Sequence, residues 1–322
     1  MNLKNQVLEI LEKNKGSYVS GGVMAKKLFV TRNAVWKAVK ALKNEGYAID
    51  AVTNNGYMLS EKNSIVSPQS ISKYIKEDLG VIVLDEVDST NNYLKKLAAD
   101  GAPEGTLIVA ECQTNGKGRL GKSFLSPAGT GIYFSLLLRP DRSAEKELYL
   151  TVMAAVAAAR AIKEYTAGDV KIKWVNDIYI DGKKVCGILT EGSVSLENGG
   201  LDYAIIGTGI NIFTPPGGFT DEIKDIAVSL FPGNETEAEI KSKIVGSVVN
   251  RFLDMYRGKD KTFIDSYRSM SYLNGKDINI ITAGKTSAAK ALYIDEYCRL
   301  TVKTENGGII KLSSGDVSVK IK

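Results

Sequence analysis

The densest chemistry in the chain lies in Glu111–Phe124, which reads ECQTNGKGRLGKSF. Seven consecutive residues hold three glycines (Gly116, Gly118, Gly121) and three cations (Lys117, Arg119, Lys122). Glycine lets backbone approach a ligand closely, and the interleaved cations supply donors for anionic oxygens. Such a loop suits a phosphate or a carboxylate. Gly116–Ser123 is also a literal match to G-x-x-x-x-G-K-[ST], the phosphate loop of nucleoside triphosphatases. That motif needs a strand before it and a helix after it. The strand is expected at Thr106–Ala110. No helix can follow, because Pro127, Gly129 and Gly131 break it and Ile132–Leu138 reads as another strand. The Walker reading fails on context.

A second dense stretch is Val170–Glu191. It reads as strand, Asp181-Gly182 hairpin and strand, with Lys173, Asn176, Asp177 and Lys184 set among apolar residues. Buried lysine and aspartate are costly unless paired, so these residues form either a structural ion pair or a ligand site. Two smaller features accompany them. Ser89, Thr90 and Asn91 open a helix, where they either cap it or bind a polar uncharged group. Gly207-Thr208-Gly209-Ile210-Asn211 ends a strand in a second close-approach glycine turn.

The composition limits what these residues can do. The 322 residues contain no histidine, which excludes histidine general bases, Ser-His-Asp triads and His-rich zinc sites. Three cysteines (Cys112, Cys186, Cys298) stand far apart without a CxxC pair, as expected in a reducing cytoplasm. No apolar run is long enough for a membrane span, and the charged N-terminus does not read as a signal peptide. Net charge is +5, and it is unevenly placed. Residues 1–63 hold ten Lys/Arg against five Asp/Glu, while the rest of the chain is balanced at 32 of each. A basic module on a neutral body is a nucleic-acid footprint.

The elements expected to position these groups fall in three regions. In residues 1–63, helices are expected over Asn2–Asn14, from Ser20 through Leu28, and over Arg32–Asn44 with Thr31 as its N-cap. A hairpin around Asn55-Gly56 follows. This is a winged helix-turn-helix, or else a small helical domain with a solvated basic face. In the first case Thr31, Arg32, Asn33, Trp36, Lys37 and Lys40 face DNA, with Arg32, Asn33 and Lys37 at base edges and Lys40, Lys43, Lys26 and Lys27 near phosphates. Residues 64–270 form a central α/β domain with a mixed sheet and helices over Pro68–Leu79, Tyr93–Ala99, Glu145–Tyr165 and Glu237–Tyr256, the last capped by Thr236. Residues 271–322 carry five short strands, Asp277–Ile281, Ser287–Ile294, Leu300–Thr304, Ile309–Leu312 and Val317–Ile321, as in a small SH3-like barrel. The fold class is α+β, multidomain.

The ordered set of motifs resembles the bifunctional biotin–protein ligases that also repress the biotin operon. The motifs are Asp88–Asn91, the glycine–basic loop, Lys173–Asp177, Lys184–Leu189, Gly207–Asn211 and Ser314-Gly315-Asp316-Val317, with Thr31–Lys37 in the N-terminal part. The resemblance implies a two-step reaction. Biotin's carboxylate attacks the α-phosphate of ATP, accompanied by Mg²⁺. The adenylate then biotinylates a lysine of the carrier domain of acetyl-CoA carboxylase. It also implies that an adenylate-bound homodimer binds the biotin operator. Carried over, Ser89, Thr90, Asn91, Gln113, Lys117, Gly118, Arg119 and Lys184 contact biotin. Lys117, Arg119, Lys122, Asn176, Lys184 and Asn211 contact ATP or the adenylate, beside Lys173 and Gly187. Lys184, Arg119 and Asp177 are the catalytic set, Asp177 facing the incoming lysine; no metal ligand is assigned. The loop departs from the family's arginine-rich pattern at Lys117, Leu120 and Lys122. Phe124 stands where tryptophan is common, and Val175 where proline is usual.

Overall fold

The computed structural model describes residues 2–140, 147–194, 201–233, 236–258, 260, 262–282, 285–313 and 316–319. The chain divides into two compact units, Met1–Val83 with Glu235–Gly246, and Leu84–Asn234 with Ser247–Lys322.

The first unit opens with α1 (Leu3–Lys13), α2 (Gly21–Leu28) and α3 (Arg32–Asn44), then the hairpin β1 (Ile49–Val52) and β2 (Gly56–Leu59). Each helix starts at a side-chain cap: Asn2 accepts from Asn5 N–H, Ser20 from Gly22 N–H, and Thr31 from Ala34 N–H. Val7, Leu11, Met24, Val35, Val39, Leu42 and Leu59 close one apolar core. The wing turns through Asn54 and Gly56, both at positive φ. After it, α4 covers only Pro68–Ser72, much shorter than the expected Pro68–Leu79.

The short α4 has a tertiary cause. Lys73 Nζ and Tyr74 OH both bond to the Glu239 carboxylate, at 2.7 and 2.8 Å. Lys15 Nζ lies 2.9 Å from the same group, and both partners are more than nine-tenths buried. Glu239 itself sits at φ +64°, so the helix expected from Glu237 cannot begin there; it starts one residue later, at Ile240. Thr236 does not cap it and instead donates to Glu237 O. Burial acts to raise the Glu239 carboxyl, but bonds from Lys15, Lys73 and Tyr74 outweigh it and hold it at about 2. Glu12, buried alongside, is raised by burial against the pull of Lys15, with Glu239 adding to the rise. The signs follow from linkage. Glu239 contributes stability above its ordinary value of 4.5, and that contribution is lost as pH falls toward about 2. Glu12 acts in the opposite direction, its contribution being lost as pH rises through its raised value. Glu239→Gln leaves Lys15 and Lys73 without their carboxylate, so at neutral pH it destabilises by about 3 kcal/mol. Thermal unfolding against pH checks this: the wild type loses stability between pH 4.5 and about 2, and the variant shows a smaller decline, the remainder coming from other depressed carboxylates such as Asp260.

The second unit is built on a seven-stranded sheet ordered β3-β4-β5-β9-β8-β7-β6. Its strands are β3 (Val81–Val87), β4 (Leu107–Gln113), β5 (Gly131–Leu138), β6 (Val170–Lys173), β7 (Asp177–Ile180), β8 (Lys183–Val194) and β9 (Leu201–Asn211). The sheet is mixed. β3 and β4 flank α5 (Thr90–Ala99) and meet at their C-terminal ends, where Thr114 N–H bonds Val87 O. The pairs from β4 through β6 are antiparallel. α6 (Glu147–Lys163) supplies an almost wholly buried alanine-rich surface. α7 (Ile240–Tyr256) and α8 (Phe263–Ser269) follow.

Two expected elements differ. The strand expected from Val170 breaks at Trp174-Val175-Asn176, so β6 and β7 form a hairpin of their own. Specific tertiary bonds hold that break: Trp174 Nε1–H to Cys298 O, Tyr267 OH to Val175 O, and Asn176 Nδ2–H to Ile188 O. Gly207–Asn211 is no turn but the continuation of β9, because it is paired on one side with β5 and on the other with β8.

The C-terminal strands are β10 (Asp277–Thr282), β11 (Lys285–Ile294), β12 (Leu300–Thr304), β13 (Ile309–Leu312) and β14 (Asp316–Val319). They form an antiparallel sheet ordered β13-β12-β11-β10-β14. Ser314 and Gly315 of the closing motif lie outside the described residues. No helix among the described residues is long and apolar enough to cross a membrane.

Candidate functional site

The glycine–basic loop folds as a tight hairpin of its own. Gly118 N–H bonds Lys122 O, and Phe124 N–H bonds Gly116 O. A single 3₁₀ turn, Arg119–Gly121, makes its tip, with Leu120 at φ +54° and largely exposed. The chain continues without helix to β5, so the P-loop match has no helix N-terminus to complete it. The loop lies beside a cavity of about 550 Å³.

That cavity collects residues from distant parts of the chain. Ser89, Thr90 and Asn91 reach it from the start of α5, and Gln113 from the end of β4. Lys117, Gly118, Arg119 and Lys122 come from the loop. Lys173, Asn176, Asp177 and Lys184 come from β6 to β8, and Asn211 from the end of β9. Five cations in its wall face two carboxylates, Asp177 and Glu222, so an anionic ligand is favoured.

The cations are placed by neighbours. Lys184 Nζ is 2.8 Å from Asp177 Oδ1 and 5.7 Å from the centre of the Phe124 ring. Arg119 donates to Asn176 Oδ1 at 3.2 Å, and Asn176 donates in turn to Ile188 O at 2.7 Å. The loop is therefore tied to the β6–β7 hairpin. Lys117 donates to Asn92 Oδ1 at 2.7 Å. Lys173 stacks over Tyr179, its Nζ 5.6 Å from the ring centre.

Glycines make the floor. Gly187 and Gly209 are paired across β8 and β9, and Gly207 pairs with Leu189. A Cβ at Gly207 would lie 2.2 Å from Asn91 Oδ1, and one at Gly209 2.7 Å from the Phe124 ring. At Gly187 a Cβ would meet Phe124 at 3.0 Å and Lys184 Nζ at 3.1 Å. The capping reading holds for Ser89 alone. Ser89 is the N-cap, accepting from Asn92 N–H, whereas Thr90 and Asn91 are buried in the first turn and cap nothing. Ser135 Oγ donates its one proton to Asn91 Oδ1 at 2.6 Å, and Thr90 Oγ1 lies within donor reach of both Ser135 Oγ at 2.7 Å and Gln113 Oε1 at 3.2 Å.

Sequence reasoning missed the apolar wall of Phe213, Pro215, Phe219, Ile223 and Ile226. It lies in irregular chain after β9, with no periodicity to betray it. Ser135 and Glu191, which back the polar end, were also missed, being single polar residues in strands. The three cysteines are free. Burial pushes the Cys186 thiol well up and the Cys298 thiol to about 12, so neither supplies a thiolate.

In the first unit, Thr31, Arg32, Asn33, Trp36, Lys37 and Lys40 are all solvent-exposed around the start and outer face of α3. Arg32, Trp36 and Lys40, with Lys43, line an open groove of about 620 Å³ bounded by Ser20–Gly22 and the wing. Lys40 stacks on Trp36, 5.3 Å from its ring centre.

These features define a class: a small-molecule site with a cationic wall on a chain that also carries a winged helix-turn-helix. Residues 83–211 match the Biotin/lipoate A/B protein ligase family, residues 4–58 the HTH domain, and residues 274–320 the Biotin protein ligase C terminal domain. The chain is 35% identical over 324 residues to the Bifunctional ligase/repressor BirA of Bacillus subtilis (strain 168), covering 98% of each. It is 29% identical over 197 residues to the protein of that name from Escherichia coli (strain K12), covering 61% of this chain and 60% of that one. The solved biotin protein ligase from Aquifex aeolicus in complex with biotin and ATP aligns with a TM-score of 0.62 at 29% identity, over 76% of this chain and 99% of that one. The chain belongs to the biotin protein ligases, among the bifunctional ligase/repressor members.

Proposed function

We propose that this protein joins biotin to a protein lysine at the expense of ATP and represses transcription through its N-terminal unit. The observation that carries the reading is the convergence of Lys117, Arg119, Lys184 and Asp177 on one glycine-floored cavity. In the first step a biotin carboxylate oxygen bonds to the α-phosphorus of ATP, and the bond to pyrophosphate breaks. Two anions must meet, so Lys117, Arg119 and Lys184 neutralise charge that grows on the phosphoryl oxygens. Gly118 brings backbone close to the carboxylate, and Lys122, Asn176 and Asn211 edge the nucleotide. Ser89, Thr90, Asn91 and Gln113 take the ureido end. Before ligand arrives, Asp177 neutralises Lys184. Once the adenylate forms, Asp177 orients the carrier lysine, whose amine attacks the carbonyl carbon as AMP leaves. Mg²⁺ would accompany ATP and offset the charge of its phosphates, Asp177 and Glu222 being the carboxylates of the cavity wall.

The carrier is the biotin carboxyl-carrier domain of acetyl-CoA carboxylase. With adenylate bound, a homodimer holds biotin operator DNA through Thr31, Arg32, Asn33, Trp36, Lys37 and Lys40. In this reading residues 1–63 are the DNA-binding domain, 64–270 the catalytic domain, and 271–322 an SH3-like barrel, all working in the cytoplasm.

Pyrophosphate release from Mg-ATP, with biotin, lipoate and octanoate in parallel, tests the reading. Release with biotin alone is expected. Release with lipoate instead would make it a lipoate ligase, and no release with any acid would leave a DNA-binding sensor. Operator binding in the presence of biotin and ATP should fall steeply with salt, with a log–log slope of about −0.9 per phosphate contact. A flat salt dependence would remove the DNA assignment.

A further inference from the structure

Behind the cavity, outside its lining, stands a charged pair that the proposed reaction does not use. Glu191 on β8 accepts from Lys95 Nζ at 2.5 Å and from Asn91 Nδ2 at 2.7 Å. Asn91 Nδ2 also donates to Leu189 O at 3.3 Å. A carboxylate and a backbone carbonyl only accept, so the Asn91 atom facing them must be the NH₂ group. Both its hydrogens are thereby used. Its Oδ1 is turned the other way, where it accepts from the fully buried Ser135 at 2.6 Å and lies over Gly207 on the cavity floor. A carbonyl oxygen has two lone pairs, and Ser135 takes one.

We infer that Glu191, clamped by Lys95, is a positioning residue that locks the Asn91 amide so that its oxygen faces the cavity and selects a ligand bearing an N–H. Burial acts to raise the Glu191 carboxyl, but bonds from Lys95 and Asn91 hold it below the ordinary range, so it is ionised and acceptor-only at neutral pH. Lys95 gives the arrangement its direction. Its ammonium only donates, so any amide placed at position 191 must turn its oxygen to Lys95 and its NH₂ toward Asn91. Asn91 would then flip, offering the cavity a donor.

The identity of the ligand rests on the biotin reading; the amide's orientation does not. The kinetic test compares kcat/KM for biotin and for biotin methylated on a ureido nitrogen, in wild type, Glu191→Gln, and Glu191→Gln with Lys95→Met. Glu191→Gln should lower the preference for biotin about tenfold, mainly through KM. Adding Lys95→Met frees the introduced amide to turn its oxygen toward Asn91 and should restore the preference. A purely structural role would depress both substrates equally, with no restoration, and would overturn the inference. The second test needs no ligand. In the free protein labelled with ¹⁵N-asparagine, the Asn91 side-chain NH₂ should exchange slowly with solvent and faster in Glu191→Gln. Unchanged exchange would refute the locked amide whatever the substrate proves to be. Slow exchange without turnover of biotin would instead sink the biotin reading alone.

Discussion

Lys184→Ala should lower biotin-dependent pyrophosphate release by about 10²- to 10³-fold, the usual cost of removing one preorganised donor from a developing oxyanion. Two effects act in the same direction. The variant removes a cation that lies within the cavity wall on β8, held by Asp177 at 2.8 Å and by the Phe124 face. It also leaves the Asp177 carboxylate unneutralised where two more anions must enter. The loss should fall mainly on kcat, because charge on the phosphoryl oxygens is greatest in the transition state. Lys184→Arg should recover part of the rate, since it restores charge without the compact ammonium geometry. Single-turnover adenylation with thermal unfolding run alongside would check it. Unchanged adenylation in Lys184→Ala would remove Lys184 from the reaction.

Gly207→Ala should cost about a hundredfold in kcat/KM for biotin, an overpacking penalty of about 3 kcal/mol expressed as rate. The added Cβ would stand 2.2 Å from Asn91 Oδ1, which no real Cβ tolerates. Nothing nearby can yield cheaply. Gly207 is hydrogen-bonded into β9 between Ser135 of β5 and Leu189 of β8, and Asn91 is fixed by Ser135, Glu191 and Leu189. The strain falls on the amide at the ligand's polar end. Gly80→Ala is the matched control, for nothing lies within 4 Å of its Cβ, and it should be silent. Equal activity of the two variants would show that Asn91 does not contact the ligand.

Much of this was legible in local patterns. The 3.6-residue spacing of Val35, Val39 and Leu42 and the cap at Thr31 set α3, and all three apolar residues are buried. Asp181-Gly182 marks the β7–β8 turn, where both residues take positive φ. The five C-terminal strands fall within two residues of their expected starts. The interleaving of glycine and cations points to an anion, and those cations do line the cavity. The failures share one cause. The strand at Val170 breaks because Trp174, Val175 and Asn176 bond to Cys298, Tyr267 and Ile188. α4 stops because Lys73 and Tyr74 bond to Glu239, 165 and more residues away.

The amino-acid sequence by itself determined most of the helices and strands, the basic N-terminal module, the absence of histidine chemistry and the residue types of an anion site. These depend on neighbours within a few positions, or on composition. Only the tertiary structure decided that Gly207 and Gly209 lie in a strand rather than a turn, that Lys184 pairs with Asp177, and that Glu191 turns the Asn91 amide. Each depends on partners brought side by side by strand pairing, and the direction of an amide or the emptiness over a glycine is a property of those partners, not of the residue.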